Sequence, residues 1–292
     1  MSSVTTTDRD GAVRGVARLE EPLPRRRASA WHYFRGNLLA VAGLVVLVAM
    51  IVIAVAAPIV APYDPDEISY DFLAPPSRDH ILGTDDVGRD VVSRLIYASR
   101  VSLSVGFAVS LLAVVLGSIA GAIGGYYGGR TDSLVSGGIN VLLSIPLIPM
   151  AMVLGAFLTT NLLFVVLILG LLSWTGVARV IRAEFLSLKE REFVMAARLI
   201  GVSDLRIISR HILPNVMAVV IVAATLMVAT AILAESALSY LGYGIQPPTA
   251  SWGNMLQNAQ RFFRINPMLA IYPGILISLT VICINFVGDG MR

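Results

Sequence analysis

The sequence is poor in the residues from which catalytic and metal sites are usually built. Its 292 residues include one cysteine, Cys283, and three histidines that lie far apart along the chain. A lone cysteine cannot form an intramolecular disulfide, and separated histidines predict no metal-ligand cluster. The Gly-x-Ser-x-Gly pattern of a nucleophile elbow is also missing. A membrane enzyme is therefore weakly supported, and we predict neither a catalytic residue nor a metal site.

Lysine is almost absent as well, because Lys189 is the only one in the chain. A phosphate-binding P-loop needs the sequence Gly-Lys-Ser/Thr, but Lys189 follows Leu188. The chain therefore has no Walker A motif, and any ATPase that serves it must be another polypeptide. We predict no cofactor in this chain.

Apolar residues make up 56% of the chain, and the mean hydropathy is +0.78. Six apolar runs are each close to the roughly 20 residues that a spanning helix needs. The predicted fold class is therefore all-α, a polytopic membrane protein with six transmembrane helices. The polar lead and the first apolar run are both too long for a signal peptide. The predicted spans are 37–61, 101–125, 133–157, 162–182, 216–240 and 268–288.

The arginines predict which side of the membrane each connection occupies. Residues 1–36 carry seven arginines against four acids, whereas residues 62–100 carry eight acids against four arginines. Because basic connections stay cytoplasmic, we expect 1–36 to be a cytoplasmic tail, 37–61 the first transmembrane helix and 62–100 an extracytoplasmic segment. Residues 101–292 form the core domain, and the C-terminus is also expected inside. The pI of about 9.2 thus indicates topology in a lipid bilayer, not nucleic-acid binding.

The most informative segment is 183–215, a polar stretch between two apolar runs with the sequence AEFLSLKEREFVMAARLIGVSDLRIISRHILPN. Gly201 is expected to end a first helix in the left-handed conformation, and Ser203 to cap a second one. The second helix is expected to end before Pro214, because the residue before a proline is disfavoured in helical geometry. Four residues recur at helical spacing and predict one short apolar face: Phe193, Ala196, Ala197 and Ile200.

This stretch resembles the EAA loop, a cytoplasmic loop of bacterial ABC-importer permeases. The loop has Glu-Ala-Ala, three residues, Gly and, about nine residues later, Leu-Pro. Met195 stands where the generic motif has Glu, but FVMAARLIGVSDLRIISRHILPN is similar to the dipeptide/oligopeptide/nickel branch. Segments 80–103, 144–152 and 235–256 resemble the same branch, and with the N-terminal span they resemble its C-type permease subunit. The positions that match the loop motif are Ala196, Ala197, Gly201, Leu213 and Pro214.

The resemblance implies a permease of the type I fold in the bacterial inner membrane, with 183–215 as a coupling loop. It implies a second homologous permease subunit, two ATP-binding subunits or domains that hold ATP and magnesium, and an extracytoplasmic substrate-binding protein. The expected solute is a dipeptide or oligopeptide, and nickel or another small solute is the alternative. The residues expected to couple to the ATPases are Glu192, Phe193, Val194, Ala196, Ala197, Arg198, Gly201, His211, Leu213, Pro214 and Asn215.

Three of these residues have more specific expected roles. Phe193 would fill a pocket of the ATPase. Arg198 would make polar contacts at the rim, together with Glu192. His211 has no second ligand nearby, so we expect it to be a hydrogen-bonding residue of the loop and not a metal ligand.

Polar side chains inside the predicted spans are candidates for the substrate path. Glu235 is the only acidic residue deep in a span, near the outer end of the fifth. It either forms hydrogen bonds in a packing role beside Ser236 and Ser239 or lines the path, since intramembrane carboxylates usually face a cavity or partner. Asn140 and Ser144 flank a Pro-containing break in the third span. A broken helix is tolerated where it faces protein or a water-filled path.

Local patterns predict three further features. Gly117, Gly121 and Gly125 have the small-xxx-small spacing of closely packed helices, which favours packing within the chain over a dimerisation face. Residues 87–100 are predicted to form a short amphipathic helix that leads into the second span. Trp252 is predicted to be an interfacial residue at the membrane surface.

A stand-alone secondary transporter or channel is the rival from a different class. It would need intramembrane ion-coupling groups and usually an inverted repeat. One intramembrane carboxylate and no visible repeat count against it. Co-purification of an ATPase would support the importer, whereas transport by this chain alone would support the rival.

Overall fold

The computed structural model describes residue 34, residues 36–157 and residues 161–291. Most of the predicted 1–36 tail lies outside these residues, as do residues 158–160 between the third and fourth predicted spans. Within them, strand-like pairing is limited to an isolated bridge between Thr84 and Asp90. Five described helices are long and apolar enough to span a membrane, and a bent pair counts as a sixth span. The predicted all-α fold with six spans is confirmed.

The described helices are numbered in chain order. They are α1 (Leu38–Val55), α2 (Ala57–Val60), α3 (Val91–Tyr127), α4 (Gly129–Leu143), α5 (Leu147–Phe157), α6 (Leu162–Leu188), α7 (Glu192–Leu199), α8 (Asp204–Arg206), a π-helix (Ile207–Ile212), α9 (Leu213–Tyr240), α10 (Trp252–Phe262) and α11 (Met268–Gly290).

Helix α3 is one continuous helix of 37 residues. The helix predicted at 87–100 to lead into the second span is the start of this helix, which begins at Val91 and not at residue 87 and continues into the span because no glycine or proline lies between Val91 and Val105. Asp90 caps the helix and accepts hydrogen bonds of 2.8 Å from both the main-chain N–H and the hydroxyl of Ser93. At 1.5 Å per residue α3 is about 55 Å long, which exceeds the roughly 30 Å hydrocarbon core of a bilayer. Its first turns therefore extend beyond the apolar layer.

The third span is broken, as predicted. Helices α4 and α5 meet at an angle of 79°. Pro146 cannot donate a main-chain hydrogen bond, so the helix cannot continue unbroken across this point. Ser144 ends α4, where its main-chain N–H donates to the carbonyl of Asn140 and its hydroxyl donates to that of Val141.

The glycines of α3 pack against α6 within the chain, which confirms the favoured prediction for the small-xxx-small spacing. A Cβ atom added at Gly117 would lie 2.7 Å from the carbonyl oxygen of Trp174, and one at Gly121 would lie 2.6 Å from that of Ala178. At Gly125 the added Cβ would lie 2.6 Å from the Cβ of Phe185. The two backbones approach this closely only because the side chains of α3 are absent there.

The helices sort the connections into two ends of the bundle. Lys189 lies beside Gly128, and Gly290 lies beside Phe34 and Ala40, so residues 126–131 and 189–212 share one end with both ends of the described chain. We call this the loop end. Residues 56–90 and 241–267 lie at the opposite end, where α10 packs on the first turns of α3. This grouping agrees with the predicted alternation of sides.

The segment between α9 and α11 contains a helix that the sequence analysis did not predict. Helix α10 starts at a capping box, in which the Asn254 N–H donates to the Ser251 hydroxyl and the Ser251 N–H donates to the Asn254 side-chain oxygen. Trp252 is fully buried, so its prediction as an interfacial residue is wrong. The helix turns back onto the bundle, where Trp252 packs with Val91 and Leu95 of α3.

Candidate functional site

The connection between α6 and α9 forms a compact platform at the loop end, which we call the platform (residues 192–212). Its first helix, α7, ends at Gly201, whose φ of +78° is left-handed as predicted. The Val202 N–H donates to the Ala197 carbonyl at 3.1 Å and the Gly201 N–H donates to the Arg198 carbonyl at 3.0 Å. This pair of bonds is the Schellman arrangement that closes helix C-termini. Glycine is needed at 201 for its conformation, because a side chain there would meet no other atom within 4 Å.

The second half of the platform differs from the prediction. Ser203 lies at the N-cap position of α8, but its side chain makes no capping hydrogen bond. The helix does not end before Pro214; it passes through a π-helix into α9. Pro214 falls in the first turn of α9, where a missing main-chain N–H is tolerated. The polar connection is therefore continuous with the fifth span.

The four residues predicted to share one apolar face of α7 lie on two faces. Ala197 is buried against the bundle, as is Val194, and both pack with Ile207 and Ile212 of the π-helix. Phe193, Ala196 and Ile200 are exposed. The prediction of a single face is wrong because one side of α7 packs against the bundle of the same chain. Only the exposed side of α7 is available to a partner.

The outward side of the platform carries large apolar side chains in contact with solvent. We call these residues the apolar patch: Phe193, Leu199, Ile200 and Leu205, which are 42%, 89%, 81% and 76% exposed. Large apolar side chains exposed close together in the chain, with charged residues around them, indicate a site of contact with another protein or a membrane. Exposed charged side chains surround the patch: Glu192, Arg191, Arg198, Arg206 and Arg210.

His211, Leu213, Pro214 and Asn215 lie together where the π-helix meets α9. The Asn215 side chain donates to the main-chain carbonyl of His211 at 2.6 Å. The hydrogen bond at position 211 thus uses the carbonyl, and within the described residues no ring hydrogen bond of His211 is observed. His211 therefore takes part in a hydrogen bond of the loop through its main chain, and a role for its ring stays a prediction. Among the described residues, no group of three or more potential ligand side chains forms a metal site.

Tyr126, in the last turn of α3, is a contact residue of the platform that sequence reasoning missed. Its hydroxyl donates to the Asp204 carboxylate at 2.6 Å, and the Arg198 guanidinium lies 5.2 Å from the centre of its ring. The side chain is buried. No local pattern distinguishes Tyr126 from the exposed Tyr127, so only the tertiary contact identifies it. Below the platform, Arg182 of α6 forms a salt bridge with Asp132 of α4.

Glu235 lies at the opposite end, inside a buried polar cluster. Its carboxylate accepts hydrogen bonds from the hydroxyls of Ser239 at 2.7 Å, Ser102 at 3.3 Å and Ser236 at 3.5 Å. The residue has no solvent exposure. The Ser102 hydroxyl in turn accepts from the main-chain N–H of Trp252 at 3.2 Å, so the cluster joins α3 and α9 to the start of α10. This arrangement favours the packing role of Glu235 over a place on the substrate path.

A cavity of about 360 Å³ lies beside the bend of the third span. Its polar lining consists of hydroxyls from Ser173, Thr175 and Thr230, and the remaining lining is apolar. Asn140 and Ser144 are exposed next to the same bend. Neither residue lines the cavity, and their place on a substrate path stays a prediction.

The chain is similar in sequence to a family of membrane transport components. Residues 113–292 match the family described as binding-protein-dependent transport system inner membrane component, and residues 26–76 match the N-terminal TM domain of oligopeptide transport permease C. The oligopeptide transport system permease protein OppC of Escherichia coli (strain K12) is 40% identical over 262 residues, covering 89% of this chain and 87% of that protein.

The chain is also similar to a second curated permease and to one solved transporter structure. The dipeptide transport system permease protein DppC of Bacillus subtilis (strain 168) is 38% identical over 270 residues, covering 90% of this chain and 83% of that protein. The solved MetNI methionine ABC transporter, in inward-facing conformations, matches with a TM-score of 0.56 and 19% identity, over 67% of this chain and 93% of that one. At that identity the structural match concerns the fold alone.

Proposed function

Because the chain belongs to the family of binding-protein-dependent transport system inner membrane components, we propose that it is a permease subunit of an ATP-driven importer of dipeptides or oligopeptides. The proposed solute follows from relatives named for oligopeptide and dipeptide transport. As a permease component the chain is a multi-pass inner membrane protein and carries out no covalent chemistry. Nickel or another small solute is the alternative cargo.

The observation that carries the proposal is the apolar patch on the platform. Leu199 and Ile200 expose more than four-fifths of their side chains, and the arginines of this segment support a position on the cytoplasmic side. An apolar surface with a basic rim at that position suits a protein partner in the cytoplasm. We propose that two ATP-binding subunits or domains dock there and that a second homologous permease completes the path.

Movement of the docked ATPases would reach the spans because the platform packs directly on them. Val194, Ala197, Ile207 and Ile212 form one buried cluster with side chains at the ends of the spans, which gives the platform a broad apolar contact with the bundle. Rigid-body displacement of such an element is a common way in which nucleotide binding changes a membrane cavity. The binding protein would deliver the solute at the opposite end, and both termini would lie in the cytoplasm.

The proposal is tested with the complete complex in proteoliposomes. We expect ATP-dependent uptake of a labelled tripeptide in the presence of the binding protein, and no uptake of nickel ions. Uptake of nickel instead would favour the alternative cargo. Transport by this chain alone, without nucleotide, would contradict the ATP-driven importer and support a secondary transporter.

The docking surface has a matched pair of variants. Leu199→Glu places a charge in the patch, so we expect the ATPase to be lost from the purified complex and uptake to fall at least about ten-fold, since a buried unpaired charge is strongly unfavourable at an interface. Ile68→Glu makes the same change at an exposed position of the opposite end and should retain the ATPase. Equal retention in both variants would exclude the patch as the docking site.

A further inference from the structure

Tyr126 contacts both sides of the turn at Gly201. Arg198, which stacks on its ring, belongs to α7 before the turn, and Asp204, which accepts from its hydroxyl, opens α8 after the turn. One side chain therefore fixes the relative placement of both halves of the platform. The charge of the guanidinium favours the face of the ring, while the hydroxyl at the ring's edge suits the carboxylate.

The other contacts of the platform with the spans are mainly apolar. Val194, Ala197, Ile207 and Ile212 pack with Phe185 and neighbouring side chains, and such packing has little directional preference. Against this apolar background, the hydroxyl of Tyr126 ties the platform to α3 through its hydrogen bond to the Asp204 carboxylate. This bond is charge-assisted, which makes it stronger and more directional than a neutral bond.

Tyr126 is attached to a helix that reaches the opposite end of the molecule. Helix α3 runs unbroken from Val91 to Tyr127, a length of about 55 Å. Near its start, Arg94 donates to the Pro65 carbonyl at 3.2 Å, and Ser102 donates to the carboxylate of Glu235. A displacement applied at Tyr126 is therefore transmitted along one rigid element to the segment that faces the other side of the membrane.

We propose that Tyr126 is the positioning residue that couples the platform to α3, so that movement of the platform displaces the opposite end of the bundle. The inference rests on the proposed function, because it concerns how ATPase movement opens the path. Tyr126 touches neither solute nor nucleotide in this role. Its contribution is to make the platform and α3 move together.

The test uses the complete complex and the variant Tyr126→Phe, which keeps the ring and its packing but removes the hydroxyl. We expect ATP hydrolysis within about two-fold of the wild type and about ten-fold fewer peptides imported per ATP, the change that losing a hydrogen bond to a charged acceptor can cause in a two-state equilibrium. Tyr127→Phe is the matched control, since Tyr127 is 57% exposed and keeps its ring contact with Tyr126. It should retain the wild-type ratio.

Asp204→Ala removes the acceptor from an exposed position and should lower the ratio as Tyr126→Phe does. The double variant should be no worse than either single one, because both remove the same bond. Wild-type ratios in both Tyr126→Phe and Asp204→Ala would overturn the inference and leave the proposed function intact. Additive losses in the double variant would also overturn it. If the wild-type complex imports no peptide with ATP, the proposed function fails first and the inference falls with it.

Discussion

Glu235 shows how one buried side chain can be ambiguous in sequence and defined in structure. An acidic residue within a span is unfavourable unless it has a partner, and its partners here are the hydroxyls of Ser102, Ser236 and Ser239. The Ser239 hydroxyl also accepts from the Ile245 N–H at 3.0 Å. Glu235 thus holds the connection after α9 onto the bundle, which is a structural task.

If Glu235 has this structural role, its hydrogen bonds should matter more than its negative charge. Glu235→Gln keeps hydrogen-bonding atoms of similar shape and should lower the free energy of unfolding in detergent by less than about 1 kcal/mol. Glu235→Ala leaves buried hydroxyls without this acceptor and should lower it by about 3 kcal/mol. Denaturant unfolding of the purified complex measures both. If Gln preserves stability but abolishes uptake, the carboxylate charge is needed and Glu235 belongs to the path after all.

Helices α3 and α6 are packed so closely that the glycines of α3 lie directly against the backbone of α6. Gly117, Gly121 and Gly125 recur every four residues and all face α6. Because lipid tails are as apolar as leucine, close packing and not hydrophobic burial stabilises such a pair. Tyr126 of α3 and Arg182 of α6 both lie at the loop end of this pair. Close packing of the two helices would therefore support the coupling of the platform to α3.

Adding one methyl group to this contact should separate the helices. The Cβ of Gly121→Ala would lie 2.6 Å from the carbonyl oxygen of Ala178 and 2.9 Å from the main-chain nitrogen of Arg182. We expect a loss of about 1–3 kcal/mol in the free energy of unfolding, as for other overpacked contacts. Gly274→Ala is the control, because a Cβ there meets no atom within 4 Å and alanine favours helix. An equal effect of both changes on thermal unfolding would contradict the close contact.

At the scale of the whole molecule, the two ends differ in charge. Residues 62–100 carry eight acids against four arginines, while the platform side is rich in arginine. The structure places these two regions at opposite ends of the bundle. Together with the positive-inside tendency, this separation predicts the orientation of the chain in the membrane.

The orientation can be measured with single cysteines. Cys283 is the only cysteine and is buried, so a Cys283→Ser background is free of endogenous thiol. Tyr70→Cys, at a position that is 97% exposed, should react with an impermeant maleimide in intact spheroplasts. Arg130→Cys should react only in inverted vesicles. The reverse labelling pattern would show that the chain has the opposite orientation in the membrane.

The sequence predicted the long elements well and the short ones poorly. The apolar runs, the break at Ser144 and the left-handed Gly201 depend on local chemistry, and all three are present. The helix α10 and the passage through Pro214 were missed because tertiary packing decides whether a short polar stretch forms or continues a helix. A capping pattern at Ser251 and Asn254 was the available signal for α10.

By itself the sequence predicted the apolar runs that become spans, the alternation of the connections between the two ends of the bundle and the segment that forms the platform. These features follow from the hydrophobicity of each run, the charge of its flanks and single glycines or prolines, all of which act over a few residues. Only the tertiary structure decided which face of α7 remains for a partner, that Glu235 is held by hydroxyls and that Tyr126 joins the platform to α3. Those outcomes depend on which helices pack together, and residues far apart in the chain meet only after the bundle has formed.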